Sequence, residues 1–328
     1  MRVVTSFAVG TLAILVTGCS VLQHAAAVKP GKTGPAGSGT VRVALAASRG
    51  GYLGVREIGT PGSYEPVQRF ATDVGIHPNL VLYYSMFGAP FKRAFADSAY
   101  KHGSVPLVQI NPFNVSMKAI ANGKYDNYLL TYADAVRAFG HAVVIGFAHE
   151  MNGTWYPWGW SHTKPSVWKA AWRQVVRIFR RQGALNVTWL WTVSSGRYRA
   201  ARSARYWPGS NWVTWVGIDG YFYRRNSFNG IFAPEIRVIR RLDQRVPILI
   251  SETGIGPVAG KVRLIPNLFA GVARWNLLGV VWYDVAQHNG LYHQDWRLEG
   301  NHAAILAFAN AVHTYMHVLS LRAATMSR

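Results

Sequence analysis

Cysteine and acidic residues are scarce in this chain of 328 residues. The single cysteine excludes an internal disulfide framework and a zinc site made of cysteines. Asp and Glu number 14 against 35 Lys and Arg, which gives a formal net charge of +21. The eleven histidines show no helical metal-ligand spacing completed by a carboxylate, so we expect neither a metal nor another cofactor. Half of the residues are hydrophobic, which excludes a disordered chain and predicts a large packed core.

The N-terminal segment has the pattern of an export signal. Arg2 supplies a positive charge, and residues 7–16 form an apolar run that is too short to span a bilayer. The run ends in LVTGC (15–19), which resembles the lipobox of bacterial lipoproteins. This resemblance implies a signal peptide over 1–18, lipidation of Cys19, and an exported chain that is anchored to the outer face of the cell membrane. The alternatives are a plain signal peptide with an incidental cysteine, or an uncleaved anchor.

Composition divides the chain into a tether and one domain. Glycine, proline and alanine dominate residues 19–40, where we expect a flexible tether. The domain follows over 41–321, with a tail at 322–328. A prior of about 150 residues per domain would allow two domains, but no second linker follows residue 50. No later apolar run approaches the length of about 18 residues that a membrane span needs.

Short apolar runs alternate with stretches of helical length along this domain. Near-continuous apolar strands are typical of parallel sheets that are covered on both faces. Eight such runs predict an α/β fold of the (β/α)8 TIM-barrel class. A doubly wound open sheet is the alternative, but it usually carries a glycine-rich phosphate turn, which the sequence lacks. The strand candidates are 52–58, 80–87, 105–110, 143–149, 187–193, 216–221, 247–251 and 279–283, and the helix candidates include 126–139, 166–182, 233–242 and 267–276.

Two carboxylates directly follow strand candidates four and seven. Glu150 and Glu252 each come after an apolar run, at the strand ends where a (β/α)8 barrel carries its functional side chains. A carboxylate there costs desolvation free energy unless it is paired or functional. These strands lie on roughly opposite sides of the ring, so the two glutamates would face each other as the carboxyl pair of a retaining glycosidase does. The alternative is a pair of ion-paired glutamates that brace the barrel rim.

The residues around these glutamates resemble a known family. The run HEMNGTWYPWG (149–159) resembles the signature of glycoside hydrolase family 26, a β-mannanase family of retaining (β/α)8 enzymes. Further blocks resemble the family in the same order, and together they cover most of residues 80–300. They are WPG and WVGIDGY (207–209 and 215–221), SETG (251–254) and DWR (295–297).

The resemblance implies roles for individual residues. Glu150 would be the acid/base and Glu252 the nucleophile. His149 would lie beside the sugar 2-hydroxyl, Tyr221 would hydrogen-bond the nucleophile, and Trp155 would form an apolar wall on the leaving-group side. The acid must arrive protonated and the nucleophile ionised, so their surroundings must push the two pKa values apart.

The sequence departs from the family pattern at positions outside the proposed catalytic pair. An aromatic–acid–Pro–Trp run often ends the third strand in the family, whereas residues 110–113 read INPF here. Ser210 and Thr214 stand where the family usually has aspartates. Because these positions would line or support the cleft, the departures bear on which polysaccharide is bound.

Tryptophans supply the candidate sugar platforms. Trp155, Trp158 and Trp160 lie in a loop rich in glycine and proline. Stacking on sugar rings is the functional interpretation of these indoles, and packing over the barrel rim is the alternative. We predict that Trp155 and Trp158 bind substrate together with Asn152 of the same segment. Trp282, which ends the eighth strand candidate, would form the floor beneath the reacting sugar.

Basic clusters at 197–205 and 224–225 follow strand candidates five and six, on the expected active-site side. They would either bind an acidic polysaccharide or hold the surface near anionic lipids, and we favour the lipid interpretation. The basic residues are spread out rather than gathered on one face with interleaved aromatics. For this reason, and because the chain is predicted to be exported, we expect no nucleic-acid partner. We also expect a monomer.

Together these features predict a retaining, endo-acting β-glycoside hydrolase that acts on an extracytoplasmic polysaccharide of the β-1,4-mannan type. One alternative is a glycan-binding lipoprotein without hydrolytic activity, which the presence of both glutamates and Tyr221 argues against. The other is a β-1,3-xylanase or β-glucanase of the same fold.

Overall fold

A closed barrel of eight parallel strands forms the centre of the computed structural model, which describes residues 45–223, 227–256, 258–287 and 293–320. Each strand pairs with its neighbour in chain order, and the first pairs with the eighth. The predicted (β/α)8 barrel is confirmed. The strands are β1 (Tyr52–Glu57), β2 (Leu80–Met86), β3 (Val105–Asn111), β4 (Val143–Phe147), β5 (Val187–Ser194), β6 (Trp215–Asp219), β7 (Ile248–Thr253) and β8 (Gly279–Asp284).

Helices follow the strands and cover the outside of the barrel. One of the two longest begins at Pro165, where proline is tolerated because the first helical N–H has no partner within the helix. Its buried stripe includes Trp168, Trp172 and Phe179, which pack against the barrel. The helices are α1 (Glu65–Val74), α2 (Arg93–Lys101), α3 (Met117–Ala121), α4 (Asp126–Phe139), α5 (Pro165–Arg181), α6 (Arg197–Ser203), α7 (Phe228–Leu242), α8 (Val258–Arg274) and α9 (His302–Tyr315).

Each of the four helix candidates corresponds to a helix, and two of these helices, α7 and α8, begin more than one turn before the predicted first residue. α7 begins at Phe228, where the Ser227 hydroxyl accepts a hydrogen bond from the backbone N–H of Gly230. α8 begins at Val258 and contains Pro266. Two 3-10 turns (Ala204–Tyr206 and Ser210–Trp212) and a short antiparallel pair, β9 (Ala286–Gln287) with β10 (Gln294–Asp295), complete the described elements.

Alternation along the strands decides which side chains reach the barrel interior. Leu82, Leu107, Leu249 and Val281 belong to the inner apolar cluster, whereas Trp282 belongs to the outer cluster between barrel and helices. Side chains of successive strand residues point to opposite faces, so the inward set of each strand continues to its carboxyl end. This alternation determines which residues line the barrel mouth.

Several expectations fall outside the described residues. The signal peptide, the lipidation site at Cys19, the tether and the C-terminal tail lie there, as do Arg224 and Arg225. Among the helices of the described residues, none has the length and apolar character to cross a membrane.

Candidate active site

A cleft of about 650 Å³ opens at the carboxyl ends of the barrel strands. Both predicted carboxylates line it: Glu150 follows β4, and Glu252 lies in β7. Its walls include Tyr84, Trp155, Arg199, Asp219, Tyr221 and Tyr283. The structure therefore brings together the two glutamates that the sequence singled out.

An unusual backbone conformation at Glu150 and a shift in strand register beside Glu252 direct both side chains into the cleft. Glu150 has a φ of +53°, in the left-handed region, and its N–H donates to the Thr192 carbonyl at 2.9 Å. A non-glycine residue in this region costs about 1–3 kcal/mol and is found where the surroundings enforce it. In β7 the pairing register shifts beside Asp219, so that consecutive residues Ser251 and Glu252 both turn inward.

Glu252 is held by two phenols, one on each oxygen. Tyr84 donates to Oε1 at 2.5 Å, and Tyr221 donates to Oε2 at 2.8 Å. The predicted bond from Tyr221 is thus present, while the sequence analysis missed Tyr84. Alternation along β2 could have identified it, because Tyr83 belongs to the outer cluster and Tyr84 is therefore the inward residue.

The two glutamates have different electrostatic surroundings. Burial and the nearby charge of Glu252 raise the pKa of Glu150 to about 7, against the effect of an indole N–H that Trp155 donates to Oε2 at 2.8 Å. Burial also raises the pKa of Glu252, but the two phenols and Arg56 oppose that shift. This arrangement favours a protonated Glu150 and an ionised Glu252.

A third carboxyl group, Asp219, lies at the end of β6 and was not among the predicted site residues. Its Oδ1 accepts a hydrogen bond from Ser251 at 2.5 Å, and its buried Oδ2 has no partner among the described residues. Burial, followed by the charges of Glu252 and Glu150, raises the pKa of Asp219 well above its usual range. Burial and the neighbouring carboxylates thus favour the protonated form of Asp219.

His149 stands beside this carboxyl cluster and is only 2% exposed. Its Nδ1 is hydrogen-bonded to Asn111 at 2.9 Å, and burial lowers its pKa to about 3, so the imidazole is neutral. His149, Asp219 and Glu252 each place one atom that could bind a metal within 4.8 Å of the others. Because both Glu252 oxygens already accept phenolic hydrogens, we interpret this group as a polar floor for the cleft.

Two predicted platforms do not reach the cleft. Trp158 is fully buried, donates to the His149 carbonyl at 2.7 Å and stacks on Tyr156 at 4.5 Å between ring centroids. Trp282 is also fully buried and packs edge-on against Phe308 of α9. It faces the helices because its position in β8 is an outward one, and the next residue, Tyr283, lines the cleft instead. The predicted sugar contacts of Trp158 and Trp282 are therefore wrong.

Asn152 is likewise a buried framework residue rather than a sugar contact. Its amide nitrogen donates to the Ser194 carbonyl at 2.8 Å and lies 2.9 Å from the Ser203 hydroxyl and 3.2 Å from Glu235. Its Oδ1 accepts from the N–H of Ser194 at 2.9 Å. These bonds join the loop after β4 to β5, α6 and α7, which leaves no amide group for substrate.

Trp155 differs from the other loop indoles because 46% of its surface is exposed and it lines the cleft.

Among the departures from the family pattern, Asn111 lines the cleft. Thr214 instead accepts a hydrogen bond from the N–H of Trp189, and Ser210 forms a side-chain hydrogen bond with Asp243. Neither residue lines the cleft.

Comparison with known proteins identifies the family. Residues 109–299, more than half of the chain, match the model of glycosyl hydrolase family 26. The chain therefore belongs to glycosyl hydrolase family 26.

Individual relatives are distant and most are longer. Endoglucanase H of Acetivibrio thermocellus is 27% identical over 273 residues, which cover 78% of this chain and 30% of that protein. The mannan endo-1,4-beta-mannosidase of Bacillus subtilis is 23% identical over 250 residues, which cover 69% of this chain and 66% of that protein. The chain thus spans less than a third of the first relative and about two thirds of the second.

A solved structure supports the fold. The catalytic domain of an endo-β-1,4-mannanase from Bacillus sp. JAMB-750 superimposes with a TM-score of 0.63 at 16% identity, covering 83% of this chain and 88% of that one. This likeness is to a member of the same family and agrees with the closed barrel described above.

Proposed function

We propose that the chain is a retaining, endo-acting β-glycoside hydrolase that cleaves a polysaccharide of the β-1,4-mannan type, with Glu252 as nucleophile and Glu150 as acid/base. The observation that carries the proposal is that the two glutamates lie in one cleft and have different hydrogen-bond partners and neighbouring charges. Glu252 accepts two phenolic hydrogens, whereas Glu150 has a pKa raised to about 7.

In the first step, Glu252 attacks the anomeric carbon and forms a covalent glycosyl ester. Glu150 donates its proton to the glycosidic oxygen as the bond to the leaving sugar breaks. The phenols of Tyr84 and Tyr221 orient the carboxylate and keep it ionised. Asp219 lines the same cleft, and its Oδ2 is buried without a hydrogen-bond partner among the described residues.

In the second step, Glu150, now ionised, removes a proton from a water molecule that attacks the anomeric carbon. The ester bond to Glu252 breaks, and the product leaves with the configuration it had in the substrate. The rise in the pKa of Glu150 toward neutrality suits this residue to giving and taking a proton in turn.

The mannan assignment is supported by the Bacillus relatives, whose names describe endo-acting β-1,4-mannanases. A reducing-end assay on β-mannan, β-glucan and β-1,3-xylan tests it, with Glu252→Ala as the inactive control. We expect rapid appearance of internal cleavage products from mannan. Preferential cleavage of glucan or xylan would contradict the substrate, and binding of mannan without cleavage would indicate the glycan-binding alternative.

The two phenols that hold Glu252 should each be needed for full activity. Tyr84→Phe and Tyr221→Phe are each expected to lower kcat/KM about 10- to 100-fold, because each removes one hydrogen bond to a charged group. Each loss also raises the pKa of Glu252, so the acidic limb of the pH–rate profile should move to higher pH. Tyr128→Phe is the matched control, since its hydroxyl bonds the Ala89 carbonyl outside the cleft. Unchanged profiles in both cleft variants would contradict the role of the phenols.

We further propose that the chain is exported and held at the membrane by a lipid on Cys19, as the lipobox-like run LVTGC (15–19) suggests. Cys19→Ser is expected to move the protein from the membrane fraction to the soluble fraction or to block its processing, because the thiol carries the lipid. Ser20→Ala is the control and should leave the protein anchored. Mass spectrometry of the N-terminus is the measurement, and an unmodified N-terminus at another residue would contradict the anchor.

A further inference from the structure

Arg199 is a cation in the wall of the cleft. It lies in α6, directly after β5, and its Nε donates to the Ser195 carbonyl at 2.6 Å. Its guanidinium carbon lies 5.4 Å from the ring centroid of Trp155, the indole that donates to Glu150. Arg199 is thereby fixed on the side of the cleft where the proposed acid acts.

Within the part of the chain that the structure describes, no carboxylate lies within 4.0 Å of this guanidinium. The ion pairs among the described residues involve Arg69, Arg93, Arg137 and Arg297, and none involves Arg199. The charge of Arg199 lowers the pKa of Glu150 in the cleft and that of the buried Glu235 outside it, but in both cases burial has the larger, opposite effect. Its terminal nitrogens therefore remain able to bind an anion.

Two further arginines continue the line of positive charge away from Arg199. Arg202 and Arg205 follow at steps of three residues through α6 and the 3-10 turn after it, a spacing that keeps side chains on one side of a helix. Their guanidinium carbons lie 5.1 and 5.0 Å from the ring centroid of Trp160. Together, Arg199, Arg202, Arg205, Trp155 and Trp160 form what we term the Arg–Trp ridge.

We propose that the Arg–Trp ridge binds acidic groups on the leaving-group side of the substrate, so that the chain prefers a polysaccharide bearing carboxylate or phosphate groups over a neutral one. This inference rests on the proposed function. The cleft also contains the proposed nucleophile Glu252, whose negative charge would repel an added anion. Trp155 has exposed surface in the cleft that a sugar ring could contact, and the guanidinium of Arg199 offers paired donors to the anion.

Binding to an inactive variant tests this without requiring turnover. In a Glu252→Gln background, calorimetry would compare β-1,4-linked mannohexaose with the corresponding hexamer of mannuronic acid and with a 6-phosphorylated mannohexaose. We expect at least one acidic ligand to bind about tenfold or more tightly than the neutral one at low salt. The comparison of the two acidic ligands distinguishes carboxylate from phosphate.

Arg199 variants assign that preference to the ridge. In Arg199→Gln the ratio of acidic to neutral affinity should fall close to one, and Arg199→Lys should keep part of the preference because the charge remains. Arg237→Gln is the matched control, since Arg237 lies over Trp275 at 5.8 Å and does not line the cleft. It should leave every affinity unchanged.

The remaining outcomes distinguish failure of this inference from failure of the proposed function. Equal affinity for neutral and acidic hexamers would overturn the inference and leave the proposed function standing. An acidic preference that survives in Arg199→Gln would overturn the assignment to the ridge. If the triple variant of Arg199, Arg202 and Arg205 to Gln instead loses binding to phosphatidylglycerol vesicles while retaining the acidic preference, the ridge is a membrane contact. Failure of all three hexamers to bind would overturn the proposed mannan specificity together with the inference.

Discussion

Glu252→Ala is expected to lower the rate of glycoside cleavage by about 10⁴-fold or more, which corresponds to about 5 kcal/mol in the activation barrier. The reason is that the carboxylate forms the covalent bond to the anomeric carbon, so its removal abolishes the two-step path. The loss should exceed that of Tyr84→Phe or Tyr221→Phe, which remove one hydrogen bond and keep the path. Steady-state rates on the preferred polysaccharide provide the measurement.

Glu235→Gln is a suitable control for this experiment. Glu235 is buried outside the cleft among Asn152 and Ser203, and burial raises its pKa to about 8. A glutamine mimics the protonated form that this pKa favours at neutral pH, so the fold and the activity should be retained. A Glu252→Ala variant that cleaves within tenfold of the parent chain would contradict a nucleophilic Glu252.

Glu150→Ala should have an effect that depends on the leaving group. Polysaccharide cleavage should fall by about 10²- to 10⁴-fold, since protonation of the leaving oxygen is lost. Formation of the covalent intermediate from aryl glycosides with acidic phenols should fall much less, because those groups leave without a proton. Azide should restore turnover by replacing the water that Glu150 would activate, and it should yield a glycosyl azide. Equal losses on both substrate types without azide rescue would contradict the role.

The pH dependence of kcat/KM offers a second test of Glu150. As the proposed acid, it must be protonated in the free enzyme, and its pKa is raised to about 7. Activity of the parent chain should therefore fall as the pH rises through about 7, and this basic limb should be absent from Glu150→Ala when an aryl glycoside is the substrate. A basic limb that persists in the variant would assign the titration to another group.

The barrel could be predicted because each of its strands is recognisable from the residues of that strand alone. Each strand is a short apolar run, and eight of them alternate with helices, so the architecture follows from pattern alone. The same placement of strand ends predicted that Glu150 and Glu252 would share one cleft. The hydrogen bond from Tyr221 was implied by family resemblance, and the structure contains it.

The error at Trp282 arose because a shift of one residue along a strand moves a side chain to the other face of the sheet. Trp282 and Tyr283 both look like cleft residues in the sequence, but only Tyr283 has the inward position in β8. The register shift beside Glu252 cannot be read from the sequence, and without it Ser251 and Glu252 would face opposite sides. Trp158 and Asn152 lie in a loop whose packing depends on residues far along the chain, such as Ser203 and Glu235.

Trapping of the covalent intermediate tests the central claim most directly. A 2-deoxy-2-fluoro glycosyl fluoride of the sugar that the chain cleaves should inactivate it. The fluorine at C2 slows both formation and hydrolysis of the ester, but the good leaving group at C1 speeds formation alone, so the ester accumulates. Peptide mass spectrometry should then find the label on Glu252, and NMR of normal products should show the anomeric configuration of the substrate. Label on Asp219, or products with inverted configuration, would contradict the proposed mechanism.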